Sequence, residues 1–544
     1  MIQTIHKVKL IWKTVTAFER KLLLIYIILI PIVTAVELLH LASIVPLVNG
    51  LAGDQGLTTD FMLLSENPSI LKVCIIFGSV SVFSAMTRYI HTALLYKSTY
   101  SVLKQVSHVM YQVRILGPYS RSYDRKNSDA FNLFSNKLIY LTAHFLGPIL
   151  AILHGSFLVL MIVTMLLIQL KWLFVILIVF VVIVYGVYFY VSKKITIKNS
   201  LAISLDTARH LALVVRITDY LKEIKLFGIE QESINKFFNV EEKLRNSQIS
   251  VQIIAHGSKF IVEAVALLGI AVAIIAASTW NEATIIAKLA LLVFSTQKLL
   301  PATQNVFSAY SLILSGKDMV AEVFQEIKIM QNITVKNVSQ RPTHPADRLI
   351  TRVWCRGLKF SYPNSPELKF DEIDFEIGGL NCIIGRSGSG KSSFTNLLSN
   401  LFKPNSGDIR YFSYGNSIPT DEVSFSYCSQ QPVIFDATVE ENLISEPANF
   451  HSISKVVDID FVSKGHRIHP KNLSGGERQR IGIARAINVK SDVYIFDEPT
   501  AALDDHNVRK FVLGIIEFSK KNLVIIVTHD DRLIVKAERL FHLS

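Results

Sequence analysis

The sequence is poor in charged side chains and in cysteine. Asp, Glu, Lys and Arg make up only 18% of its 544 residues, whereas ordinary soluble domains contain about 25%. The mean hydropathy of +0.37 argues against a wholly soluble protein. Four scattered cysteines are too few for a disulfide framework or a CxxC metal site. This cysteine usage fits a reduced protein that faces the cytosol.

Long apolar runs are present instead, and all of them lie in the first 315 residues. Each is long enough for the roughly 20 residues that cross a bilayer. The six runs are 22–48, 70–95, 139–168, 172–191, 249–278 and 284–314. The first is too long for the apolar part of a signal peptide, and no small-residue cleavage site follows it. We therefore expect six membrane-spanning helices.

The formal net charge of +12 suits either a nucleic-acid binder or a membrane protein with basic cytoplasmic loops. Lys and Arg cluster in 1–21, 97–126 and 193–225, whereas 49–69 contains neither. Basic loops are retained on the cytoplasmic side during insertion. Both termini are therefore predicted to be cytoplasmic, and no nucleic-acid partner is expected. The apolar residues 61–64 suggest a short helix in the external loop.

The sequence becomes polar after residue 330. We predict a transmembrane domain at 1–330 with two cytoplasmic coupling loops, a linker at 331–348 and a cytoplasmic domain at 349–544. The linker is polar and contains two prolines. Beyond it, strand-like apolar runs alternate with amphipathic helical ones, which indicates an α/β domain.

A glycine-rich motif, GRSGSGKS at 385–392, follows a short apolar strand and precedes a segment with helical periodicity. This context gives G-x-x-x-x-G-K-[ST] its phosphate-binding meaning. Backbone N–H groups and the helix N-terminus bind the negative charge, and Lys391 reaches the β- and γ-phosphates. Ser392 would ligate Mg²⁺. The motif predicts a site for ATP and Mg²⁺; the alternative is a glycine-rich turn that merely precedes a helix.

Two adjacent carboxylates follow a second apolar run, VYIF at 493–496. A buried strand would deliver Asp497 and Glu498 to its carboxyl end, where open α/β sheets bind ligands. Asp497 would hold Mg²⁺, directly or through water, and Glu498 would polarise the attacking water. The alternative, a solvated acidic turn, is common for an isolated pair of this kind.

A third motif, NLSGGERQRIGIARA at 472–486, is a Ser-Gly-Gly turn that opens a basic amphipathic helix. With this motif the sequence resembles the ATP-binding cassette (ABC) transporters. The resemblance identifies Gln430 as the Q-loop glutamine and AALD at 501–504 as the D-loop. It also identifies His529 as the switch histidine and Tyr362 as the aromatic that stacks on adenine.

The resemblance implies roles for individual residues of the cassette. Catalysis would involve Glu498, His529, Lys391 and Gln430, and the metal would be held by Ser392, Gln430 and Asp497. Nucleotide contacts would come from Tyr362, Gly385, Ser387, Gly388, Gly390, Lys391, Ser392, Ser393, Ser474, Gly475, Gly476, Glu477 and Asp504. The implied enzyme is an ATP hydrolase coupled to transport.

The resemblance also implies an assembly. In the family two cassettes close head to tail, so that the Ser-Gly-Gly turn of one covers the γ-phosphate bound by the other. A chain with one cassette therefore needs a second chain. A homodimer is the simplest assembly, and a related half-transporter is the alternative partner.

The implied fold is a six-helix all-α transmembrane domain of the ABC exporter type, followed by an α/β P-loop NTPase cassette. The chain would lie in the cell (inner) membrane with its N-terminus and cassette in the cytoplasm. Coupling helices are expected around 118–131 and 217–227. Glu477 stands where the family more often has glutamine, which would slow hydrolysis without preventing it. The short stretch from 430 to 474 predicts a reduced helical subdomain.

Charged residues within the predicted spans point to the cargo, because each is costly in lipid and functional by default. By residue count, Arg88, Lys259 and Lys298 fall in the cytoplasmic half of the bilayer. Three cations at similar depth could line an inward-open cavity for an anionic head group. For Lys259, snorkelling or pairing with Glu263 explains the charge equally well. No role is assigned to Glu37.

The membrane half also resembles bacterial ABC flippases for lipid-linked oligosaccharides, through VELLHLASIVPLV, MTRYIHTALLY, SKFIVEAV and STQKLLPATQNVFSAY. We therefore predict an ATP-driven exporter or flippase for an amphipathic anionic substrate, specifically a lipid-linked saccharide. One alternative is an exporter of a peptide, such as a bacteriocin, or of a small siderophore-like molecule. A membrane-bound regulatory ATPase is the other.

Overall fold

The computed structural model describes residues 2–52, 70–120, 132–170, 172–277, 285–332, 348–363, 365–386, 388–444, 453–459 and 467–543. The chain divides into two compact units. One consists of Met1–Gly117 with Arg125–Thr334, and the other of Pro118–Asp124 with Val335–Ser544. Nearly all of the predicted linker, and the predicted external helix at 61–64, lie outside the described residues.

The first unit is built from helices. They are α1 (Ile2–Thr14), α2 (Ala17–Ala42), α3 (Ile44–Ala52), α4 (Ile70–Leu116), α5 (Leu138–Leu141), α6 (Gly147–Leu170), α7 (Trp172–Leu226), α8 (Glu230–Ala277), α9 (Ile285–Ser315) and α10 (Lys317–Asn332). Two π-helical turns, Leu133–Lys137 and Thr142–Leu146, flank α5. They interrupt the α-helix at the start of the third apolar run, and the helix continues without interruption from Gly147.

Helices occupy nearly all the described residues of each of the six predicted apolar runs. Helix α4 has 47 residues and α7 has 55, well beyond the roughly 20 that cross a bilayer. Among the described residues, three stretches are long and apolar enough to span a membrane, namely Ala17–Val48, Ile70–Leu116 and Leu133–Gln169. The structure therefore contains a helical membrane part.

The largest buried cluster of the first unit joins α1, α2, α4, α6 and α10. Val106 on α4 and Val323 on α10 have no exposed surface. An ion pair between Lys137 and Glu322 adds a polar link between the first π-helical turn and α10. Helix α10 therefore packs as part of the bundle.

Helix α7 enters the predicted coupling segment 217–227 and ends there at Leu226. Its backbone leaves the helical region at Tyr220, where φ is −118° and ψ is 21°. Gly228, with φ of 65°, then turns the chain toward α8. The kink at Tyr220 separates a short helical stretch at 221–226 from the long helix, at the place where a coupling helix was expected.

Only residues 118–120 of the other predicted coupling segment are described. They group with the second unit. There the ring of Tyr119 packs edge-on against Phe402, with 5.8 Å between ring centroids. The described start of this segment is therefore part of the packing of the second unit.

The second unit is an α/β fold. Its strands are β1 (Arg352–Phe360), β2 (Leu368–Phe370), β3 (Ile373–Glu376), β4 (Leu380–Gly385), β5 (Ser406–Ser413), β6 (Asn416–Ile418), β7 (Phe425–Cys428), β8 (Ala437–Thr438), β9 (Arg467–Ile468), β10 (Val493–Asp497), β11 (Leu523–Val527) and β12 (Arg539–Leu543). Its helices are α11 (Lys391–Leu398), α12 (Val439–Asn442), α13 (Gly475–Asn488), α14 (Asp505–Ser519) and α15 (Asp531–Ile534). Two 3₁₀ turns occupy Thr420–Glu422 and Pro470–Asn472.

The strands form two main sheets. A parallel sheet has the order β12-β4-β11-β10-β7. An antiparallel sheet has the order β2-β1-β5-β6, with β3 also paired to β1. Strands β8 and β9 form a short separate pair.

Two hydrophobic cores lie on opposite faces of the parallel sheet. Along β11, Val524 and Ile526 belong to the core that contains α13 and α14. Leu523, Ile525 and Val527 belong to the core that contains α11. Successive side chains of a strand point to opposite faces. Strands buried on both faces read as continuous apolar runs, which is why 493–496 and 523–527 contain no charged residue.

Parallel pairing brings the motif-bearing strand ends together. Asp497 at the end of β10 pairs in register with Val527 at the end of β11, and Val527 pairs with Ile383 of β4. The segments that follow these strands therefore leave the same edge of the sheet.

Truncation of Ile525 to alanine tests the central position of this sheet. Ile525 has no exposed surface, and removing a fully buried isoleucine leaves a cavity that costs about 2–5 kcal/mol. We expect a lower midpoint for cassette unfolding in thermal denaturation of the full-length protein. Leu513→Ala is the matched control, because Leu513 is 72% exposed. Equal midpoints for the two variants would contradict the assignment of Ile525 to the core.

Candidate functional site

The glycine-rich loop between β4 and α11 adopts backbone angles that favour glycine. Gly388 and Gly390 both have φ of 87°, a left-handed conformation that costs other residues energy. A Cβ atom at Gly385 would lie 2.5 Å from the carbonyl oxygen of Leu543. Ser387 lies outside the described residues. The described loop thus has the open backbone that a phosphate-binding turn requires.

Lys391, the first residue of α11, turns its side chain back over this loop. Its Nζ donates to the carbonyl oxygens of Gly385 at 2.6 Å and Arg386 at 3.2 Å. The same Nζ lies 2.9 Å from Nε2 of His529. The ammonium group is therefore held at the centre of the loop, where phosphate oxygens would bind.

Asp497 ends the fully buried strand β10, and its carboxylate has a partner that the sequence analysis missed. The hydroxyl of Tyr427 donates to Oδ2 of Asp497 at 3.0 Å. Burial raises the pKa of Asp497, and this hydrogen bond opposes the rise. Tyr427 lies on β7, which pairs directly with β10. In the sequence, Tyr427 is recognisable only as a tyrosine three residues before Gln430. Its contact with Asp497 becomes evident only from the pairing of β7 with β10.

Glu498 has a strained backbone. Its φ is 48°, which is uncommon for a residue with a side chain and typical of functional sites. Its N–H donates to the carbonyl oxygen of Val527 at 2.8 Å. Its carboxylate lies 3.5 Å from Nε2 of His529. Burial raises the pKa of Glu498, and the neighbouring imidazole opposes this rise.

The structure therefore brings together Lys391, Glu498 and His529, which the motifs placed far apart in the chain. His529 is the shared neighbour, since the same Nε2 faces the ammonium and the carboxylate. The group combines a cation for phosphate, a half-buried carboxylate and an exposed imidazole. Such a set can bind the terminal phosphate of a nucleotide and orient a water molecule beside it.

The donor set also fits a magnesium ion that is bound together with nucleotide. Mg²⁺ is held by one or two protein oxygens and completes its shell with phosphates and water. Asp497 offers a buried carboxylate, and Ser392 offers an exposed hydroxyl on the first turn of α11. Gln430 is exposed just after β7. Among the described residues no group of three or more His, Cys, Asp or Glu side chains forms a metal cage.

The Ser-Gly-Gly turn forms a second cluster. Ser474 caps α13, and the carboxylate of Glu477 accepts from the Ser474 backbone N–H at 2.7 Å and from its hydroxyl at 2.8 Å. These hydrogen bonds lower the pKa of Glu477. The departure from glutamine thus places a carboxylate against the serine hydroxyl.

The D-loop packs against this turn within the chain. A Cβ atom at Gly476 would lie 2.8 Å from the carbonyl oxygen of Ala502, so only glycine fits there. Asp504 caps α14 and accepts from the backbone N–H of Asn507 at 2.9 Å. Asp504 therefore has a structural role in the isolated chain.

Tyr362 packs against the core that contains α11, and Ser393 lies within α11 itself. The ring of Tyr362 is half-buried and packs edge-on against Phe360 and Phe402, with 4.8 and 5.4 Å between ring centroids. Asn396 on α11 donates to its hydroxyl at 3.4 Å. Ser393 is buried in α11. An aromatic ring is thus fixed next to the helix that begins at Lys391.

A separate cavity of about 780 Å³ lies within the helical unit. Arg88 of α4, Lys298 of α9 and Glu37 of α2 all line it. Nε of Arg88 donates to the carbonyl oxygen of Ser84 at 3.4 Å. The structure thus joins two of the three predicted cavity cations, and the side chain of Lys259 lies outside the described residues. Among the described residues, two cations and one carboxylate line the cavity, so these groups carry a net positive charge.

Comparisons with known proteins agree with this geometry. Residues 368–501 match the family model described as ABC transporter. The nisin transport ATP-binding protein NisT of Lactococcus lactis subsp. lactis is 26% identical over 346 residues, which cover 59% of this chain and 57% of that protein. The ATP-dependent lipid A-core flippase of Francisella tularensis subsp. holarctica (strain OSU18) is 24% identical over 350 residues, which cover 59% and 55%. The chain thus spans a little over half of each relative.

A solved structure of a bacterial Atm1-family ABC exporter with ATP bound superimposes with a TM-score of 0.76. The match covers 97% of this chain and 94% of the other at 16% sequence identity. The predicted exporter-type fold, with a helical membrane part and a cassette, is therefore confirmed.

Tyr427→Phe tests the contact to Asp497. Without the hydroxyl, the buried carboxylate loses a hydrogen bond that favours its charged form, so it should bind Mg²⁺ more weakly. We expect the Mg²⁺ concentration for half-maximal ATPase activity to rise by about tenfold, with similar turnover at saturating Mg²⁺. Tyr414→Phe, in an exposed turn, is the control. Tighter Mg²⁺ binding would mean that Tyr427 competes with the metal.

Glu477→Gln tests the charge at the Ser-Gly-Gly turn. Glutamine can still accept from Ser474, but it removes a negative charge that would repel phosphate and compete for the serine hydroxyl. We expect a severalfold higher kcat for ATP hydrolysis. Glu441→Gln is a matched control, because Glu441 forms the same capping box with Thr438 at the start of α12. Unchanged or lower turnover in Glu477→Gln would contradict the expectation that the charge of Glu477 slows ATP hydrolysis.

Proposed function

We propose that this chain, which belongs to the ABC transporter family, is one half of an ATP-driven exporter. It would move an amphipathic anionic substrate, a lipid-linked saccharide, out of the cytoplasmic leaflet. Residues 1–330 would form the transmembrane domain with six spans in the inner membrane, and 349–544 the cytoplasmic cassette. The observation that carries the cargo assignment is the shared cavity of Arg88 and Lys298.

The proposed ATPase chemistry follows from the contacts of the cassette. Lys391 would offset charge on the β- and γ-phosphates, and His529 would contact the γ-phosphate. Glu498 would accept a hydrogen bond from the attacking water, since its carboxylate lies beside His529. Mg²⁺, held by Asp497 and Ser392, would neutralise phosphate charge when bound. Phosphoryl transfer depends mainly on such positioning and electrostatics.

The proposed partner is a second copy of this chain or a related half-transporter. One chain carries one phosphate loop and one Ser-Gly-Gly turn, and the family's site is completed by a turn from another cassette. Two copies would form two equal sites. Completion of a site by closure couples hydrolysis to conformation.

The cargo assignment rests on charge and polarity. Ionisable groups in a membrane part are costly and mark binding sites or pathways. Arg88 and Lys298 outnumber the single carboxylate of Glu37 in the cavity wall among the described residues. An anionic phosphate head group would balance this excess. The likeness to a lipid A-core flippase supports a lipid-linked cargo.

Peptide export is the second candidate, because the nisin transport protein is also similar to this chain. A peptide would use the same cavity and the same cassette. The two candidates differ in which molecule stimulates ATP hydrolysis.

Neutralisation of the two cavity cations tests the cargo assignment. In lipid nanodiscs, ATPase activity of the wild type should rise with undecaprenyl-pyrophosphate-linked sugars, and this rise should be lost in Arg88→Gln/Lys298→Met. Glu498→Gln should abolish turnover altogether. The control variant is Lys72→Met/Lys97→Met, which changes two exposed cations of α4.

A preserved rise in the cavity variant would contradict the assignment of these cations. Stimulation by a peptide of the nisin type, with none by the lipid, would favour the second candidate.

A further inference from the structure

Three aromatic rings from three helices meet in the wall of the membrane cavity. Tyr26 of α2 stacks on His91 of α4 with 4.2 Å between ring centroids and 14° between planes. His91 in turn lies 4.6 Å from His154 of α6, at 49°. All three side chains line the same cavity as Arg88 and Lys298.

Each of the two imidazoles has one buried nitrogen atom that lacks a partner among the described residues. Nε2 of His91 and Nδ1 of His154 make no hydrogen bond to any described residue, and His91 is only 4% exposed. Buried polar atoms normally find a partner, because an unmet donor or acceptor is costly. His144, also within the bundle, shows the ordinary case, since its Nδ1 lies 2.9 Å from the carbonyl oxygen of Leu312.

The chemistry of the pair favours a ligand rich in hydroxyl groups. Among the described residues no group of three or more side chains can hold a metal ion, and two imidazoles alone do not make a closed metal site. A neutral imidazole offers either a donor or an acceptor at a given nitrogen, according to its tautomer. Hydroxyl groups both donate and accept, so they can satisfy either form.

The two histidines lie close to one of the cavity cations, Arg88. Arg88 and His91 are three residues apart on α4, so they lie on one face and about 4.5 Å apart along the helix axis. A phosphate bound by Arg88 would place an attached sugar within reach of the imidazoles. The ring of Tyr26 stacks on the ring of His91. The Tyr26 hydroxyl donates to the carbonyl oxygen of Leu150 at 3.5 Å.

We propose that His91 and His154, backed by the ring of Tyr26, form a saccharide subsite next to the phosphate-binding cations of the cavity. This inference rests on the proposed lipid-linked cargo and adds a specificity determinant to it. The subsite selects glycosylated carriers over bare ones, because a buried polar site built for hydroxyl groups rejects ligands that lack them.

The experiment compares two probes that differ only in the sugar. Undecaprenyl pyrophosphate and undecaprenyl-pyrophosphate-linked N-acetylglucosamine are titrated against the full-length protein in nanodiscs, and Kd is measured for each. The wild type should prefer the glycosylated lipid by about tenfold or more. His91→Phe/His154→Phe should lose this preference through weaker binding of the glycosylated lipid alone.

Matched variants separate recognition from packing. Phenylalanine keeps a planar ring on Tyr26 and removes the hydrogen-bonding nitrogen atoms, and thermal unfolding checks that the variant folds with the slightly larger ring. His40→Phe is the control, because His40 also has an unpartnered Nδ1 and stacks on Phe77, yet it is not among the residues that line the cavity. His91→Gln/His154→Gln should recover part of the preference, since glutamine restores a donor and an acceptor.

The outcomes distinguish failure of the saccharide subsite from failure of the proposed lipid-linked cargo. Equal binding of both lipids by the wild type, or a preference retained in the phenylalanine variant, overturns the saccharide subsite and leaves the lipid cargo standing. Binding of neither lipid by the wild type overturns the proposed cargo together with the subsite. Loss of the preference in His40→Phe as well would show that packing, and not recognition, controls it.

Discussion

Parallel pairing of β4, β11 and β10 is the constraint on which the cassette depends. The register aligns Ile383, Val527 and Asp497 across three adjacent strands. The phosphate loop, the acidic pair and the switch histidine therefore leave one edge of the sheet. A shift of one residue would exchange the two faces of a strand, and each face is committed to a different hydrophobic core.

Groups that would engage a nucleotide are engaged with one another in this structure. The ammonium of Lys391 is bound by loop carbonyl oxygens and His529, and the hydroxyl of Ser474 is bound by Glu477. Phosphate binding would exchange these contacts for new ones of similar kind. These internal hydrogen bonds hold the side chains of the site in place. The left-handed backbone conformation of Glu498 shows that the site also contains local backbone strain.

The membrane cavity follows the same physical rule in a different solvent. Lipid cannot satisfy charges or polar atoms, so such groups turn inward and face one another or a ligand. Arg88, Lys298 and Glu37 do so by charge. His91 and His154 do so through one ring nitrogen each that no other described residue hydrogen-bonds. Charge and polarity therefore occur together in one cavity.

The sequence by itself predicted the phosphate loop and the acidic pair, because each depends on local strand, loop and helix patterns. The lengths of the apolar runs predicted a membrane half, and the resemblance to ABC transporters implied its exporter-type architecture. It also identified Arg88 and Lys298, since charge in an apolar run is visible without a fold. Tyr427 and the pair of His91 and His154 escaped it. Their partners lie on other strands and helices, so only tertiary packing decides which of several ordinary residues meet.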